Sequence, residues 1–249
     1  MKLVALDLDG TLLNRGGTIA EETLSEMHRL YQKGVYIAIA TGRPYKDTIR
    51  FLTDNGLHPE DGYPYALVCN EREIYFLRDG AFRSWEPWNG DAYDREFSLL
   101  PTTLQVISTA ADEHSIEFLV NNNFMQRDRG FVETFFSSPE AAIASLPLFA
   151  EKLKGHPLKP VRNGRLIAFR WEKIGKDLML EKVVQELQVQ PHEVLAVGDS
   201  HNDMGMLQCF NAATTQNADD EVKRLVREKN GMVAASPFSL GVAEILSTL

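Results

Sequence analysis

The sequence predicts an α/β fold: a parallel sheet with helices on both faces, interrupted by an α+β insertion. Three observations carry this. Short, nearly continuous apolar runs alternate with amphipathic segments near both ends of the chain, the pattern of buried strands joined by crossover helices. The rhythm stops near residue 83 and resumes after residue 172, so one core is split in two. Within the interruption lie all three tryptophans, Trp85, Trp88 and Trp171, and most of the thirteen phenylalanines. The boundaries read as 1–82 and 173–249 for the core and 83–172 for the insertion. A length of 249 residues sits between one and two domains of ~150 residues each.

The elements follow in order. Leu3–Leu8 is an apolar run that reads as a strand covered on both faces. Thr18-Ile19-Ala20-Glu21 fits a capping box, so a helix should start there, with Leu24, Met27, Leu30 and Tyr31 on one face and Gly34 as its stop. Val35–Ala40 is a second strand. Pro44 suits the first position of a helix carrying Ile49 and Leu52 and ending near Gly56. Ala66–Cys69 is a third strand. In the insertion, Thr102 or Thr103 could cap a helix, and Leu166–Trp171 reads as a strand. Ile116–Val120, Asn121-Asn122-Asn123 and Phe124–Arg127 read as a hairpin with Asn-rich turn chemistry. Beyond residue 176 come a helix through Leu178, Leu180, Val183, Val184 and Leu187, a strand at Val194–Val197, and a short helix after His201. The run Ala212–Thr215, a helix through Val222, Leu225 and Val226, and a last helix around Val242–Leu246 complete the chain.

Composition narrows the function classes. Charged residues make up 24% and hydrophobic residues 44%, ordinary globular values that exclude disorder and collagen-like architecture. The net charge of −9 gives no general attraction for nucleic acid or an anionic lipid surface. It does not exclude a small anionic substrate, because a metal ion inverts local charge. Cys69 and Cys209 stand far apart in apolar contexts and in no CxxC pair, against zinc ribbons and disulfide scaffolds. No apolar run reaches the ~18 residues of a membrane span, and Asp7 and Asp9 interrupt the N-terminal run too early for a signal peptide. The expectation is a cytoplasmic protein with neither nucleic-acid nor membrane partners; the oligomeric state is not legible.

Four motifs carry chemistry. Asp7-Leu8-Asp9-Gly10-Thr11 follows a buried strand, and ligands of open α/β sheets bind at the carboxyl ends of strands. Residues two apart on a strand share a face, so both carboxylates could converge on one pocket; a solvated Asp-Gly turn is the plain alternative. Thr41-Gly42-Arg43-Pro44 places a hydroxyl and a glycine amide ahead of a helix, a natural anion site that reads equally as a cap. Lys176 begins a helix, where a cation opposes the dipole and points to an anionic partner; a solvated lysine is the ordinary reading. Gly198-Asp199-Ser200-His201-Asn202-Asp203 again follows a strand and supplies hard oxygen ligands for Mg²⁺, or else an N-capped helix with an acidic first turn.

In this order, at the same end of parallel strands, the four motifs resemble those of the haloacid dehalogenase superfamily of phosphatases. Asp7-Leu8-Asp9-Gly10-Thr11, Thr41, Lys176 and Gly198-Asp199 through Asp203 are similar to its first to fourth motifs. Lys176 stands 23 positions before Asp199, and Asn217-Ala218 precedes Val222-Lys223, as in the Cof-type branch. That branch has a Rossmann-like core and an α/β cap inserted where the aromatic stretch lies here. Two departures stand out: Asn70-Glu71-Arg72 where many relatives have Asn-Gly-Ala, and Lys176-Asp177 where relatives often have Lys-Gly. Both bear on substrate preference more than on chemistry.

The resemblance implies a Mg²⁺-dependent phosphatase of small phosphorylated metabolites, sugar phosphates or similar monoesters. Asp7 would be the nucleophile and form an aspartyl-phosphate. Asp9 would be the acid and base, its pKa raised by neighbouring carboxylates. Lys176 would complete the catalytic set. The metal would be held by Asp7, the Asp9 carbonyl and Asp199, with Asp203 orienting its waters or Lys176. Leu8, Thr41, Gly42, Arg43, Lys176 and Asn202 would hold the phosphoryl group. The cap would close over it, with Asn121–Asn123, Arg127, Arg170 and Trp171 as candidates to read the leaving group, or with its aromatics forming the cap's own core. A phosphomutase would use the same residues. A phospho-accepting regulatory domain shares the acids, Thr and Lys but is about half as long.

Overall fold

A computed structural model describes residues 1–121 and 129–249. In chain order the elements are β1 (Leu3–Asp7), α1 (Glu21–Gln32), β2 (Tyr36–Ala40), α2 (Tyr45–Asp54), β3 (Ala66–Cys69), β4 (Glu73–Arg78) and β5 (Ala81–Ser84). Then come α3 (Trp88–Ser98), α4 (Leu100–His114), β6 (Leu119–Val120), β7 (Val132–Phe135), α5 (Pro139–Lys152), β8 (Leu158–Asn163) and β9 (Leu166–Trp171). The last group is α6 (Lys176–Glu186), β10 (Val194–Val197), α7 (Met204–Cys209), β11 (Asn211–Thr214), α8 (Asp220–Glu228), β12 (Met232–Val233) and α9 (Phe238–Ser247). They form two units, Met1–Glu86 with Gly175–Leu249, and Pro87–Ile174.

The first unit is built on a sheet of order β12-β11-β10-β1-β2-β3-β4-β5. It is parallel from β12 to β3. Every side chain of β1 and β10 is buried, which explains their unbroken apolar runs. The strand order turns at β1: the chain proceeds outward through β2 and β3 on one side, and through β10, β11 and β12 on the other. The carboxyl end of β1 is therefore the topological switch point, where open α/β sheets bind ligands. β4 and β5 extend the sheet antiparallel beyond β3. They were not foreseen, although Asp79-Gly80 at their turn, both at positive φ, is a strong hairpin signal.

Local details depart from expectation where tertiary partners intervene. The Thr18–Glu21 capping box does not form. Ala20 is the N-cap of α1 and has no side chain to offer. The hydroxyl of Ser239 accepts the Ala20 N–H at 2.9 Å, and Asn55 Oδ1 accepts that of Ile19 at 2.6 Å. Pro44 stands one place earlier than expected, as the cap of α2. Cys69 is buried, but Cys209 is exposed at the end of α7.

The second unit is an antiparallel sheet of order β6-β7-β9-β8 with α4 and α5 packed on it. Its core gathers Phe118, Phe136, Phe149 and Phe169 in tilted and edge-to-face contacts. The aromatics thus form the unit's own interior. Thr102 and Thr103 do not cap α4 but lie within its first turn, where the Thr103 hydroxyl donates to the Leu99 carbonyl at 2.9 Å. Of Ile116–Val120 only Leu119 and Val120 are strand, and their partner is β7. The rest of the expected hairpin, Asn122, Asn123 and Phe124–Arg127, lies outside the described residues. Arg170 is not available to read a substrate. It is buried and forks onto Glu96 at 2.7 and 3.2 Å. Trp171 stacks on Trp88.

Candidate active site

Three loops leave the carboxyl ends of β1, β2 and β10, and α6 begins beside them. Asp7, the last residue of β1, is buried. Lys176 opens α6, is buried as well, and donates to Asp7 Oδ1 at 2.6 Å and to Asp203 Oδ1 at 2.7 Å. Its place at a helix N-terminus is thus explained by two carboxylates that outweigh the dipole. Asp203 Oδ2 accepts from the N–H groups of Asp199 and Ser200 at 3.0 and 3.1 Å. Both its oxygens are occupied, so it serves as an anchor for Lys176 and for the loop after β10. Asp199 Oδ1 accepts from the Thr11 hydroxyl at 3.1 Å. A role for Thr11 was missed, though the residue stands inside the first motif.

Gly10 makes this approach possible. It has φ +83°, and a Cβ there would lie 2.3 Å from Asp199 Oδ2. Only glycine lets the first loop meet the third at this distance. Its carbonyl accepts from Asn217 Nδ2 at 2.8 Å. Asn217 Oδ1 in turn accepts the N–H of Phe238 at 2.6 Å, so the downstream Asn217 ties α9 to the first loop.

Burial and mutual repulsion shift the charges of this cluster. Burial raises the Asp7 carboxyl well above the carboxylate range; Asp203 and Asp199 add repulsion, and Lys176 opposes it. Burial and Asp203 push Asp199 up to about 7. Burial works against the Lys176 charge, but Asp203, Asp7 and Glu71 outweigh it and hold the ammonium above the usual lysine range. Carboxylate oxygens of Asp7, Asp199 and Asp203 come within 4.8 Å of one another. Asp7 Oδ2 is buried with no hydrogen-bond partner. An orphaned carboxyl oxygen among hard oxygen donors fits a small divalent cation.

The other expected site residues have distinct positions. Asp7 and Asp9 do not converge: the strand ends at Asp7, and Asp9 lies beyond the pleat that would have aligned them. The Asp9 side chain is 46% exposed and takes a two-pronged bond from Arg43, Nε and Nη2 each at 2.6 Å. That bond raises the Arg43 pKa further. Arg43 also lies over the Phe51 ring, 4.2 Å from its centroid. Thr41 is buried, and its hydroxyl accepts the Arg43 N–H at 3.1 Å, which shapes the turn at Gly42. Leu8 puts its side chain in the core and its carbonyl on the Leu13 N–H, so anything it offers a ligand comes from its backbone N–H. Asn202 donates to Glu71 Oε1 at 2.9 Å; the sequence marked Glu71 as a departure from the family pattern but not as a partner of Asn202.

Comparisons with known proteins give the family. A family model described as haloacid dehalogenase-like hydrolase matches residues 4–70 and 163–246. YitU of Bacillus subtilis, named a 5-amino-6-(5-phospho-D-ribitylamino)uracil phosphatase, is 54% identical over 91% of this chain and 96% of its own length. YwtE of the same organism, with the same activity in its name, is 26% identical over 100% of this chain and 98% of its own. Among solved structures, the sucrose-phosphatase of Synechocystis in complex with sucrose and phosphate matches with a TM-score of 0.76 at 19% identity, covering 99% of this chain and 96% of that one. That likeness shows a shared fold. With the family model spanning both segments of the core and a relative more than half identical, the chain belongs to the haloacid dehalogenase-like hydrolases.

Proposed function

We propose that the chain is a Mg²⁺-dependent phosphatase that hydrolyses small phosphate monoesters through an aspartyl-phosphate on Asp7. The observation that carries this is the buried Asp7 at the switch point, pinned by Lys176 through one oxygen and unpartnered at the other. An Asp7 oxygen attacks phosphorus in line, and the bond from phosphorus to the ester oxygen breaks. The leaving alkoxide takes a proton from Asp9. Water then attacks the phosphorus of the aspartyl-phosphate and gives its proton to Asp9. The phosphorus–oxygen bond to Asp7 breaks, releasing inorganic phosphate. This chemistry requires Asp9 to leave the Arg43 fork, which frees that guanidinium for a phosphoryl oxygen. Lys176 and the amides around Gly42 hold the others. Asp7, Asp199 and the Asp9 carbonyl would hold Mg²⁺, which supplies positive charge that lets a phosphate dianion enter an acidic site.

The substrate we infer is a phosphorylated polyol or sugar, with 5-amino-6-(5-phospho-D-ribitylamino)uracil first among candidates because YitU, so named, is 54% identical. Two free thiols, Cys69 and Cys209, fit a reducing, cytoplasmic setting. The test is phosphate release from that compound and a panel of sugar phosphates, with Mg²⁺ or EDTA, by wild type and Asp7→Asn. The expected outcome is Mg²⁺-dependent release, reduced about 10³-fold or more in Asp7→Asn. Release that survives Asp7→Asn would overturn the assignment. Product that is an isomeric phosphate ester would show a mutase.

A further inference from the structure

Glu71 follows β3 in the left-handed region, at φ +53°, directly after Asn70 at φ +51°. A side chain there strains the backbone, a cost that its surroundings must offset. Glu71 is buried, and its polar groups reach three different segments of the site. Its N–H donates to the Thr41 carbonyl at 3.0 Å. Its carbonyl accepts at 3.0 Å from the N–H of Gly175, the residue before Lys176. Its carboxylate Oε1 accepts from Asn202 Nδ2 at 2.9 Å.

Asn202 is held at its other end as well, where Oδ1 accepts from the Ser200 hydroxyl at 2.5 Å. A carboxylate on one side and a hydroxyl donor on the other admit one orientation of the amide. That orientation keeps Nδ2 on the side of Gly42, since Glu71 Oε1 lies 3.7 Å from where a Cβ on Gly42 would stand. A flipped amide would present an oxygen to an incoming phosphate and repel it. The Asn202 amide nitrogen has two N–H donors; Glu71 takes one, and the second can serve a phosphoryl oxygen.

We propose that Glu71 is a positioning residue for phosphoryl recognition: it locks the Asn202 amide donor-first toward the phosphate and joins the Thr41 loop to the start of α6. This rests on the phosphatase reading for its substrate, but its geometry predicts binding of phosphate itself. Glycine is at ease at φ +53°, so Glu71→Gly removes the carboxylate while relieving the backbone. Gln in its place keeps an acceptor for Asn202 without the charge.

The experiment is calorimetric titration of inorganic phosphate, with Mg²⁺ present, into wild type, Glu71→Gly, Glu71→Gln, Asn202→Ala and the Gly/Ala double variant. Phosphate release and thermal melting are run alongside. Glu71→Gly is expected to melt at or above wild type yet bind phosphate about tenfold more weakly, with KM raised in step, the loss of one charge-assisted contact. Glu71→Gln is expected to restore binding to within about twofold, because an amide oxygen still orients Asn202. Adding Glu71→Gly to Asn202→Ala is expected to change affinity by much less than the tenfold of Glu71→Gly alone, since the Asn202 contact is already gone and only the field of Glu71 at Lys176 remains. Should Glu71→Gly not fold, Glu71→Asp takes its place with the same expectation for phosphate affinity, because it keeps the charge but shortens the reach to Asn202. A folded Glu71→Gly that binds phosphate like wild type, or effects of the two sites that multiply, overturns the proposal. Wild type that binds phosphate but releases none from any ester sinks the phosphatase reading alone; wild type that binds none sinks both.

Discussion

Lys176 is the residue on which the site's charge balance turns. It bonds both Asp7 and Asp203, and all three are buried. Lys176→Met keeps most of the volume but strands two carboxylates. Loss of one partner of a buried ion pair costs about 3–5 kcal/mol, so a urea midpoint well below wild type is expected together with loss of turnover. Asp199 makes a pH prediction. Its carboxyl is raised to about 7 in the folded chain, far above an unfolded aspartate. A raised carboxyl adds stability that is full below the unfolded pKa and is lost as pH rises through the folded one. Asp7, raised by burial, acts in the same direction. The metal-free protein should therefore melt lower at pH 7 than at pH 5, the loss running at up to about 1.4 kcal/mol per pH unit for Asp199 and each kcal/mol lowering the melting temperature by about 2–4 °C. Saturating Mg²⁺ should abolish that drop, which scanning fluorimetry can follow.

The loop after β1 shows what the elements demand of single positions. Gly10 combines a positive φ with contact against Asp199, so Gly10→Ala meets both a backbone penalty and a collision. The backbone part alone is of order 1–3 kcal/mol. The expected result is a folded but weakened protein with phosphate release down at least about tenfold, measured at saturating Mg²⁺. In the second unit the corresponding dependence is on packing. Phe149 is fully buried and touches Phe118, Phe136 and Phe169. Phe149→Ala should cost about 3–5 kcal/mol, read as faster hydrogen exchange in β8 and β9.

At the scale of the whole molecule, the acidic chain confronts an anionic substrate. A net charge of −9 and a cluster of three aspartates disfavour phosphate, and on the proposed function a divalent cation offsets them. Chelation should therefore abolish phosphate release without unfolding the chain, and added Mg²⁺ should raise its melting temperature by mass action. Among the described residues no helix is long and apolar enough to cross a membrane.

The sequence by itself determined the sheet, the switch point and where along its elements Asp7, Thr41, Lys176, Asp199 and Asp203 fall, the residues of the proposed site. Those depend on local pattern: short apolar runs that alternate with amphipathic helices and are each followed by a polar loop read as interior strands with their ends open to ligand. The antiparallel β4–β5 extension was equally local in origin, since its Asp79-Gly80 turn is written in the chain. Tertiary structure alone decided which side chains meet. Asp9 faces Arg43 rather than Asp7, because the pleat ends one residue too soon for the period-two rule to apply. Ser239 from α9 accepts the Ala20 N–H in place of the local capping box, and Arg170 is drawn into a buried pair with Glu96. Glu71 binds Asn202 across 131 positions. Contacts at such separations have no signature in a local window, because they exist only once the sheet has brought its loops together.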